Sequence, residues 1–181
     1  MSGIGRRGHL PRGAVRLSAC AAGAVVLALA VSGCSSSPSG PKAKDSAVKM
    51  AADARWVAAK ERRYGKPTTP FTVTQDGTKA VSCGHDKASY SFAGHQTFTI
   101  GPVDTYLNVT TSSSAGLLAN RGYIVDIGTK TDNGDYDSHM SKPLVNKKTR
   151  IHLTVTATAS SDHASTEVWA VTAHTDCLRT G

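Results

Sequence analysis

The stretch Ile151-His152-Leu153-Thr154-Val155-Thr156-Ala157-Thr158-Ala159 carries the clearest strand signal in the chain. Its apolar residues occupy every second position, as expected of a strand with one face in a core and the other in solvent. Trp169, Val171 and Ala173 repeat the pattern after a loop predicted at residues 160–164. Two such runs joined by a short loop predict neighbouring antiparallel strands in a sheet covered on one face. Cys177 shares the parity of Trp169, so a regular strand would turn it towards the core.

Weaker strand patterns fill much of the remaining chain. Further strands are predicted at residues 71–74, 78–83, 88–93, 97–100 and 123–130. Gln75-Asp76-Gly77 joins the first two of these and contains the Asp-Gly pair of a hairpin turn. Gly94 is predicted to turn the chain between the next two strands. Residues 103–111 fit a helix and a strand equally well.

Two helices complete the predicted fold. The first covers residues 45–64, with Asp45 or Ser46 capping its first turn. Its apolar face is predicted to contain Val48, Ala52, Trp56 and Ala59. The second is short, at residues 112–121, and ends at Gly122. We therefore expect an α+β fold, in which an N-terminal helix and a short second helix pack on one face of an antiparallel β-sheet as a two-layer sandwich.

The residues before these elements have the layout of an export signal. A basic segment that contains Arg6 and Arg7 precedes an apolar run at residues 17–31, and Val31-Ser32-Gly33-Cys34 closes that run. This arrangement resembles the lipobox of bacterial lipoprotein precursors, and the Ser-rich continuation resembles the actinobacterial type. The resemblance implies cleavage before Cys34 and a diacylglyceryl group on its thiol. It also implies a location on the extracytoplasmic face of the cell membrane, with the membrane as a partner through the lipid.

The implied organisation has three parts. Residues 1–33 are a signal peptide, residues 34–44 are the lipidated cysteine and a flexible tether, and residues 45–181 are a single globular domain. Two alternatives are an ordinary secretory signal cut within residues 28–33 and an uncleaved membrane anchor, for which the apolar run is short. Arg6-Arg7 leaves open whether export uses the general or the twin-arginine route. No family is recognised for residues 45–181.

The charge of the chain constrains its partners. It has 21 basic and 13 acidic residues and a formal net charge of +8. Four of the arginines belong to the predicted signal peptide, so the mature chain carries only about +4. No cluster of basic residues interleaved with aromatics is present, and nucleic acid is therefore not expected as a partner. A mild attraction to anionic lipid or wall polymer is compatible with this charge, but plain surface solubility is the favoured interpretation.

The cysteines give a second prediction. Cys20 leaves with the signal peptide and Cys34 carries lipid, so Cys83 and Cys177 remain. Two remaining cysteines in an exported chain usually pair, which predicts a disulfide between them. A zinc site is the alternative. It would add the neighbouring residues His85, Asp86, His174 and Asp176. The oxidising compartment and the non-standard spacing favour the disulfide, and we predict no metal and no cofactor.

The predicted mature chain contains no catalytic motif such as G-x-S-x-G or H-E-x-x-H. His152, His163 and His174 are spaced by eleven residues, but a strand would point His152 outward and a loop would hold His163, so we do not expect them to converge. A calcium loop is conceivable at residues 132–137, where the acidic and amide side chains are Asp132, Asn133, Asp135 and Asp137. The EF-hand spacing is missing, and a hairpin tip explains this composition.

Three classes of function remain. The favoured one is a non-enzymatic binding or interaction module of the cell envelope, whose partner is an envelope protein or a wall polymer. The alternative is a carrier of a small apolar ligand or lipid, which requires a cavity between helix and sheet. An envelope enzyme ranks third, because it requires convergent polar groups in a cleft and the sequence offers no such set.

Overall fold

An antiparallel β-sheet with two helices on one face forms the fold. The computed structural model describes residues 40–61, 66–99, 103–130, 139–159 and 166–181. The helices are α1 (Ala43–Lys60) and α2 (Val103–Ala119). The strands are β1 (Lys66–Pro67), β2 (Thr72–Gly84), β3 (Lys87–Thr99), β4 (Ile124–Val125), β5 (His139–Asn146), β6 (Ile151–Ala159), β7 (Thr166–Thr175) and β8 (Leu178–Arg179). The predicted α+β two-layer sandwich is confirmed.

The sheet is built around β3, β7 and β6. Its strands pair in the order β1-β3-β7-β6-β5-β4, and β2 and β8 also pair with β3. The β6–β7 hairpin places Leu153 opposite Ala173 and Ala157 opposite Trp169. Burial alternates along both strands as predicted, with the apolar row towards the helices and the Thr/His row on the other face. The strand predicted at residues 151–159 is confirmed at both ends.

β2 and its connection to β3 differ from the prediction. Asp76-Gly77 is not a hairpin turn but lies inside β2, at a shift in the register with β3. Gly77 has φ +82, and a Cβ there would lie 3.4 Å from both Met50 and Ala51 of α1. The prediction was wrong because an Asp-Gly pair suits a glycine bulge as well as a turn. The chain reverses instead at residues 85–86, where Asp86 has φ 54.

Gly94 also has a role other than the predicted one. It lies inside the continuous strand β3 and is buried. A Cβ at this position would come 2.4 Å from Cζ of Phe71, so the aromatic ring occupies the space that a side chain would need. The glycine is therefore explained by close packing, and the predicted break between two strands is wrong.

α1 begins at Ala43, two residues earlier than predicted, and buries a different face. Asp45 and Ser46 lie within the first turn, and the N-cap is Lys42. The buried apolar stripe is Ala43, Ala47, Met50, Ala51, Ala54, Val57 and Ala58. Of the predicted stripe, Val48 is 63% exposed, Trp56 is half-buried, and the remaining two residues are exposed. The prediction followed the larger side chains, whereas the helix packs through a stripe made mostly of alanines.

α2 and β4 change the interpretation of the central segment. Residues 103–111 are helical, so α2 is longer than the helix predicted at residues 112–121. The strand predicted at residues 123–130 is reduced to β4. Asp126 ends it, because its side chain accepts hydrogen bonds from the Gly128 N–H and the Thr129 hydroxyl and turns the chain. Neither helix is long and apolar enough to span a bilayer.

The core lies between the helices and the sheet. The largest fully buried apolar side chains are Trp169, Tyr123, Phe92, Met50, Leu107, Leu118, Leu144, Ile151 and Leu153. Burial of each such side chain contributes about 2 kcal/mol to folding. Large side chains from both helices and from four strands thus fill the interface between the two layers.

Candidate functional site

Three distant parts of the chain meet where α1 begins. Ala43 packs with Ala88 and Leu178 in a small apolar cluster. Ser46 Oγ donates a hydrogen bond of 2.7 Å to the carbonyl oxygen of Thr149 in the β5–β6 turn. We call this end of the fold, residues 43–46, 147–150 and 178–179, the α1 end. The chain that precedes Ala43 therefore joins the fold at the α1 end.

A cleft rich in basic side chains opens at the α1 end. Its volume is about 510 Å³. It is lined by Lys49, Arg121, Gly122, Ile124, Asn146, Lys147, Lys148 and Thr149. Four of these eight residues are cationic and none is acidic, while most of the wall that they form is apolar. The electrostatic potential of this basic cleft therefore favours an anionic ligand that also carries apolar groups.

One buried carboxylate, Asp53, fixes two of the four cations. Asp53 forms ion pairs with Lys49 Nζ at 2.7 Å and Arg121 Nε at 2.5 Å, and it accepts a hydrogen bond from the Tyr123 hydroxyl at 3.0 Å. Burial, followed by the negative charge of Asp53, raises the pKa of Tyr123, so the hydroxyl stays a donor at neutral pH. Each ion pair uses one N–H of its cation. Both side chains stay about one-third exposed, so N–H groups that Asp53 does not use can be reached by a ligand.

The walls of the basic cleft are held by packing and hydrogen bonds. The Arg121 guanidinium lies 4.6 Å from the centre of the Trp56 ring, in a cation–π contact. Asn146 donates from Nδ2 to the Arg121 carbonyl oxygen at 3.1 Å and accepts the Thr149 N–H at 3.2 Å. Asn146 thus links the turn after α2 to the turn that carries two of the lysines. A frame fixed in this way lowers the conformational entropy lost on binding.

An exposed apolar run continues from the basic cleft along the edge of the sheet. Ile124 forms part of the cleft wall and is 52% exposed, and Val125 follows it in β4 with 47% exposure. Ile127, in the turn after β4, is 95% exposed. We call these three residues the edge run. Ile124 and Val125 project from opposite faces of β4, so the edge run surrounds the edge of the sheet with exposed apolar side chains on both faces, and such a concentration indicates an interaction surface more strongly than an isolated residue does.

A second polar cluster is buried at the other end of α1. The chain contains only two glutamates, Glu61 and Glu167, and both belong to this cluster, with exposures of 1% and 0%. Ser114 of α2 donates to Glu61 Oε1 at 2.5 Å and accepts the Trp169 indole N–H at 3.1 Å. Thr110 Oγ1 donates to Glu167 Oε2 at 3.3 Å. The cluster thus connects α1, α2 and β7 through side chains.

Glu167 is the strongly perturbed group of this cluster. Burial raises the pKa of Glu167 to about 7, the hydrogen bond from Thr110 opposes this effect, and the charge of Glu61 adds to it. Within the described part of the chain, Glu167 forms no ion pair and its Oε1 accepts no hydrogen bond. Because the cluster is enclosed, these carboxyl groups are not placed to act as acid or base on an external substrate.

The sequence pattern contained a signal for one half of this cluster. Glu167 shares the parity of Trp169 and Val171, which were predicted to face the core. A carboxyl group on a core-facing row is a candidate for a perturbed pKa. Asp53 and Glu61 were not identified, because they lie on the face of α1 that was predicted to be exposed.

Two histidines that were predicted not to converge lie side by side on the uncovered face of the sheet. His152 and His174 are directly opposite in the β6–β7 register, and their stacked rings are 5.0 Å apart. The prediction placed His152 outward on a strand and His163 in a loop, and His163 lies outside the described residues. His152 Nε2 is 2.9 Å from Asp176 Oδ1. Partial burial, and secondly the charge of His152, lowers the pKa of His174.

Cys83 and Cys177 form the predicted disulfide, with Cα atoms 6.0 Å apart. It joins the end of β2 to the segment between β7 and β8. Contrary to prediction, Cys177 does not face the core. The strand ends at Thr175, the Asp176 N–H bonds to the Arg150 carbonyl oxygen, and both cysteines are exposed.

The alternative metal sites gain no support from the geometry. Both sulfurs of the zinc alternative are joined in the disulfide and are not thiolate ligands. Across the described ranges, no group of three or more His, Cys, Asp or Glu residues is arranged to hold a metal ion. The conceivable calcium loop at residues 132–137 lies outside the described residues, as does the predicted lipidation site Cys34.

Comparison with known proteins gave no significant similarity to a family model, to a curated protein or to a solved structure.

Proposed function

We propose that this protein is a lipid-anchored extracytoplasmic lipoprotein whose domain is a non-enzymatic binding module of the cell envelope. The motif Val31-Ser32-Gly33-Cys34 supports the anchor, and a diacylglyceryl group supplies the two acyl chains that stable membrane residence requires. The Cys83–Cys177 disulfide supports export, because disulfides persist in oxidising compartments.

The position of the basic cleft is the observation that carries this proposal. α1 begins at Ala43, so only residues 35–42 separate the lipidated cysteine from the helix. The nine Cα–Cα steps from Cys34 to Ala43 reach at most about 30 Å. The basic cleft opens at this same α1 end. A binding site held so close to the membrane suits a partner at that surface, whether anionic lipid, an envelope protein or a wall polymer.

The other two classes of function have less support. An enzyme needs convergent polar groups that a substrate can reach, whereas Glu61 and Glu167 are buried. A carrier needs an apolar cavity between helices and sheet, whereas side chains such as Trp169, Phe92 and Leu107 pack together in that interface.

The test is an intact mass combined with membrane fractionation of the full chain. We expect a mass that begins at Cys34 and includes a diacylglyceryl group, with Cys83 and Cys177 alkylated only after reduction. Cys34→Ala should leave the precursor uncut or release the chain from the membrane, whereas the matched variant Cys20→Ala should behave as the wild type. A correctly processed Cys34→Ala chain that stays on the membrane would contradict the anchor.

A further inference from the structure

We infer that the basic cleft and the edge run form one docking surface for the bilayer. In this arrangement the cleft binds the phosphate group of an anionic phospholipid, and the edge run enters the interfacial region of the same leaflet. The inference rests on the proposed lipid anchor and identifies the partner that the anchored domain contacts.

The charges of the cleft fit a lipid phosphate. Four cations line it, and among the residues that the structure describes the only carboxylate paired with them is Asp53, which is buried beneath Lys49 and Arg121. The formal charge of the group is therefore +3, and a phosphate that enters meets cations before it meets Asp53. Arg121 keeps the paired N–H groups of its guanidinium, which match two phosphate oxygens, and the lysines add point charges.

The edge run favours a bilayer over a soluble anion. A free phosphate or an anionic wall polymer would need only the cations, and the exposed side chains of Ile124, Val125 and Ile127 would contribute nothing to its binding. Binding to a membrane interface grows with buried apolar area and with attraction to anionic lipid, and this surface supplies both. Ile124 belongs to both parts, since it lines the cleft and begins the run.

The chain topology brings this surface to the membrane. Ala43 and Ser46 fix the start of α1 against the fold, and the cleft opens at the same end. A tether of eight residues, 35–42, makes docking an intramolecular step, for which the effective concentration of lipid is high. A modest affinity of the cleft is then sufficient to orient the domain.

The test follows the environment of Ile127 in the lipidated full chain. Ile127→Cys introduces a free thiol for an environment-sensitive fluorophore, since the wild-type cysteines of the processed chain are acylated or joined in the disulfide. The labelled protein is placed on nanodiscs of phosphatidylcholine alone or with about 30% phosphatidylglycerol, which supplies the anionic surface charge. The control position is Val81→Cys on β2, which is also exposed, at 55%, and lies away from the cleft.

We expect a blue shift at position 127 on the anionic discs only, and no shift at position 81. Each lysine near an anionic surface contributes about fivefold in affinity, so Lys147→Gln combined with Lys148→Gln should lower the ratio of docked to undocked protein about 30-fold. The matched pair Lys60→Gln and Lys79→Gln removes the same charge from exposed positions outside the cleft and outside the α1 end, and should have little effect. High salt should abolish the shift.

The outcomes separate docking from anchoring. Protein that stays on both kinds of disc without a shift at position 127 overturns the docking surface and leaves the anchor intact. A blue shift at position 127 that is equal on neutral and anionic discs overturns the anionic headgroup as the ligand. If inorganic phosphate suppresses the shift seen on neutral discs, the cleft is assigned to a soluble anion instead. Protein that is lost from neutral discs but binds anionic discs through the two lysines supports docking and contradicts the anchor.

Discussion

Replacement of Glu167 by glutamine should change how the stability of the fold depends on pH. Burial raises the pKa of Glu167 from 4.5 to about 7 in the folded state. In that interval the folded chain keeps a proton that the unfolded chain has lost, so the free energy of unfolding falls as pH rises. One pKa unit is worth about 1.4 kcal/mol, which gives a loss of about 3 kcal/mol across the interval. Glutamine is neutral at every pH, so Glu167→Gln should remove this loss and be more stable than the wild type above neutral pH.

Urea unfolding at a series of pH values, followed by tryptophan fluorescence, measures the effect. Trp169 is fully buried beside the cluster, so its fluorescence should report the unfolding of this region. His174 contributes with the opposite sign, because burial lowers its pKa and stability then rises with pH, but this contribution cancels between wild type and variant. Asp45→Asn, which neutralises an exposed carboxyl group, is the control and should keep the wild-type profile. Parallel profiles for the wild type and Glu167→Gln would refute an uncompensated buried carboxyl group at position 167.

Three further predictions concern stability, and urea unfolding with the same fluorescence signal checks each. Gly94→Ala should lower the free energy of unfolding by about 1–3 kcal/mol, because its Cβ would overlap the half-buried ring of Phe71, whereas Gly116→Ala in α2 should raise it by up to about 1 kcal/mol; equal effects would remove the packing argument. Cys83→Ala opens a disulfide that spans 94 residues and should lower stability by about 4 kcal/mol, and an unchanged midpoint would show that the cross-link adds nothing. Asp53→Asn should destabilise by about 3 kcal/mol and reduce the salt dependence of stability, and a neutral effect would contradict its place in the ion network.

The β6–β7 hairpin could be predicted because its signal is local. Every second residue of β6 is apolar, and the same holds for the core-facing row of β7 that contains Trp169 and Val171. Successive side chains of a strand point to opposite faces, so the alternation of apolar and polar residues can be read from each strand alone. Asp76-Gly77 shows the limit of local reasoning, since a turn and a bulge use the same pair of residues. Only the neighbouring strand decides whether the pair forms a turn or a bulge, and here β3 pairs with β2 on both sides of Asp76-Gly77.

The buried face of α1 shows a second limit. A helix rich in alanine offers more than one apolar stripe, and the stripe with the larger side chains, Val48 and Trp56, was the wrong one. The sheet selects the stripe that packs closely, through Ala47, Met50 and Ala54. Because the face was assigned wrongly, the burial of acidic side chains on the same helix could not be predicted.

The basic cleft could not be predicted from spacing at all. Lys49, Arg121 and Lys147 come from α1, the turn after α2 and the β5–β6 turn, and the sequence between them carries no periodicity that would join them. Their meeting depends on the tertiary fold, since Asp53 and Asn146 link these three segments. From the net charge, plain surface solubility was the favoured interpretation and a mild attraction to anionic surfaces the alternative, whereas the structure brings four cations together in one cleft.

The two ends of the helix–sheet interface bury carboxyl groups in different ways, and this difference explains why only one end is proposed as a binding surface. Beneath the basic cleft, Asp53 is buried under two cations that are each about one-third exposed. In the buried cluster at the other end of α1, Glu167 accepts a hydrogen bond from the Thr110 hydroxyl, and burial favours the neutral form of Glu167 near pH 7. A neutral and enclosed carboxyl group offers a ligand neither charge nor access. Cations that are oriented by a buried carboxylate and still reach solvent offer both, which is what recognition of a phosphate group requires.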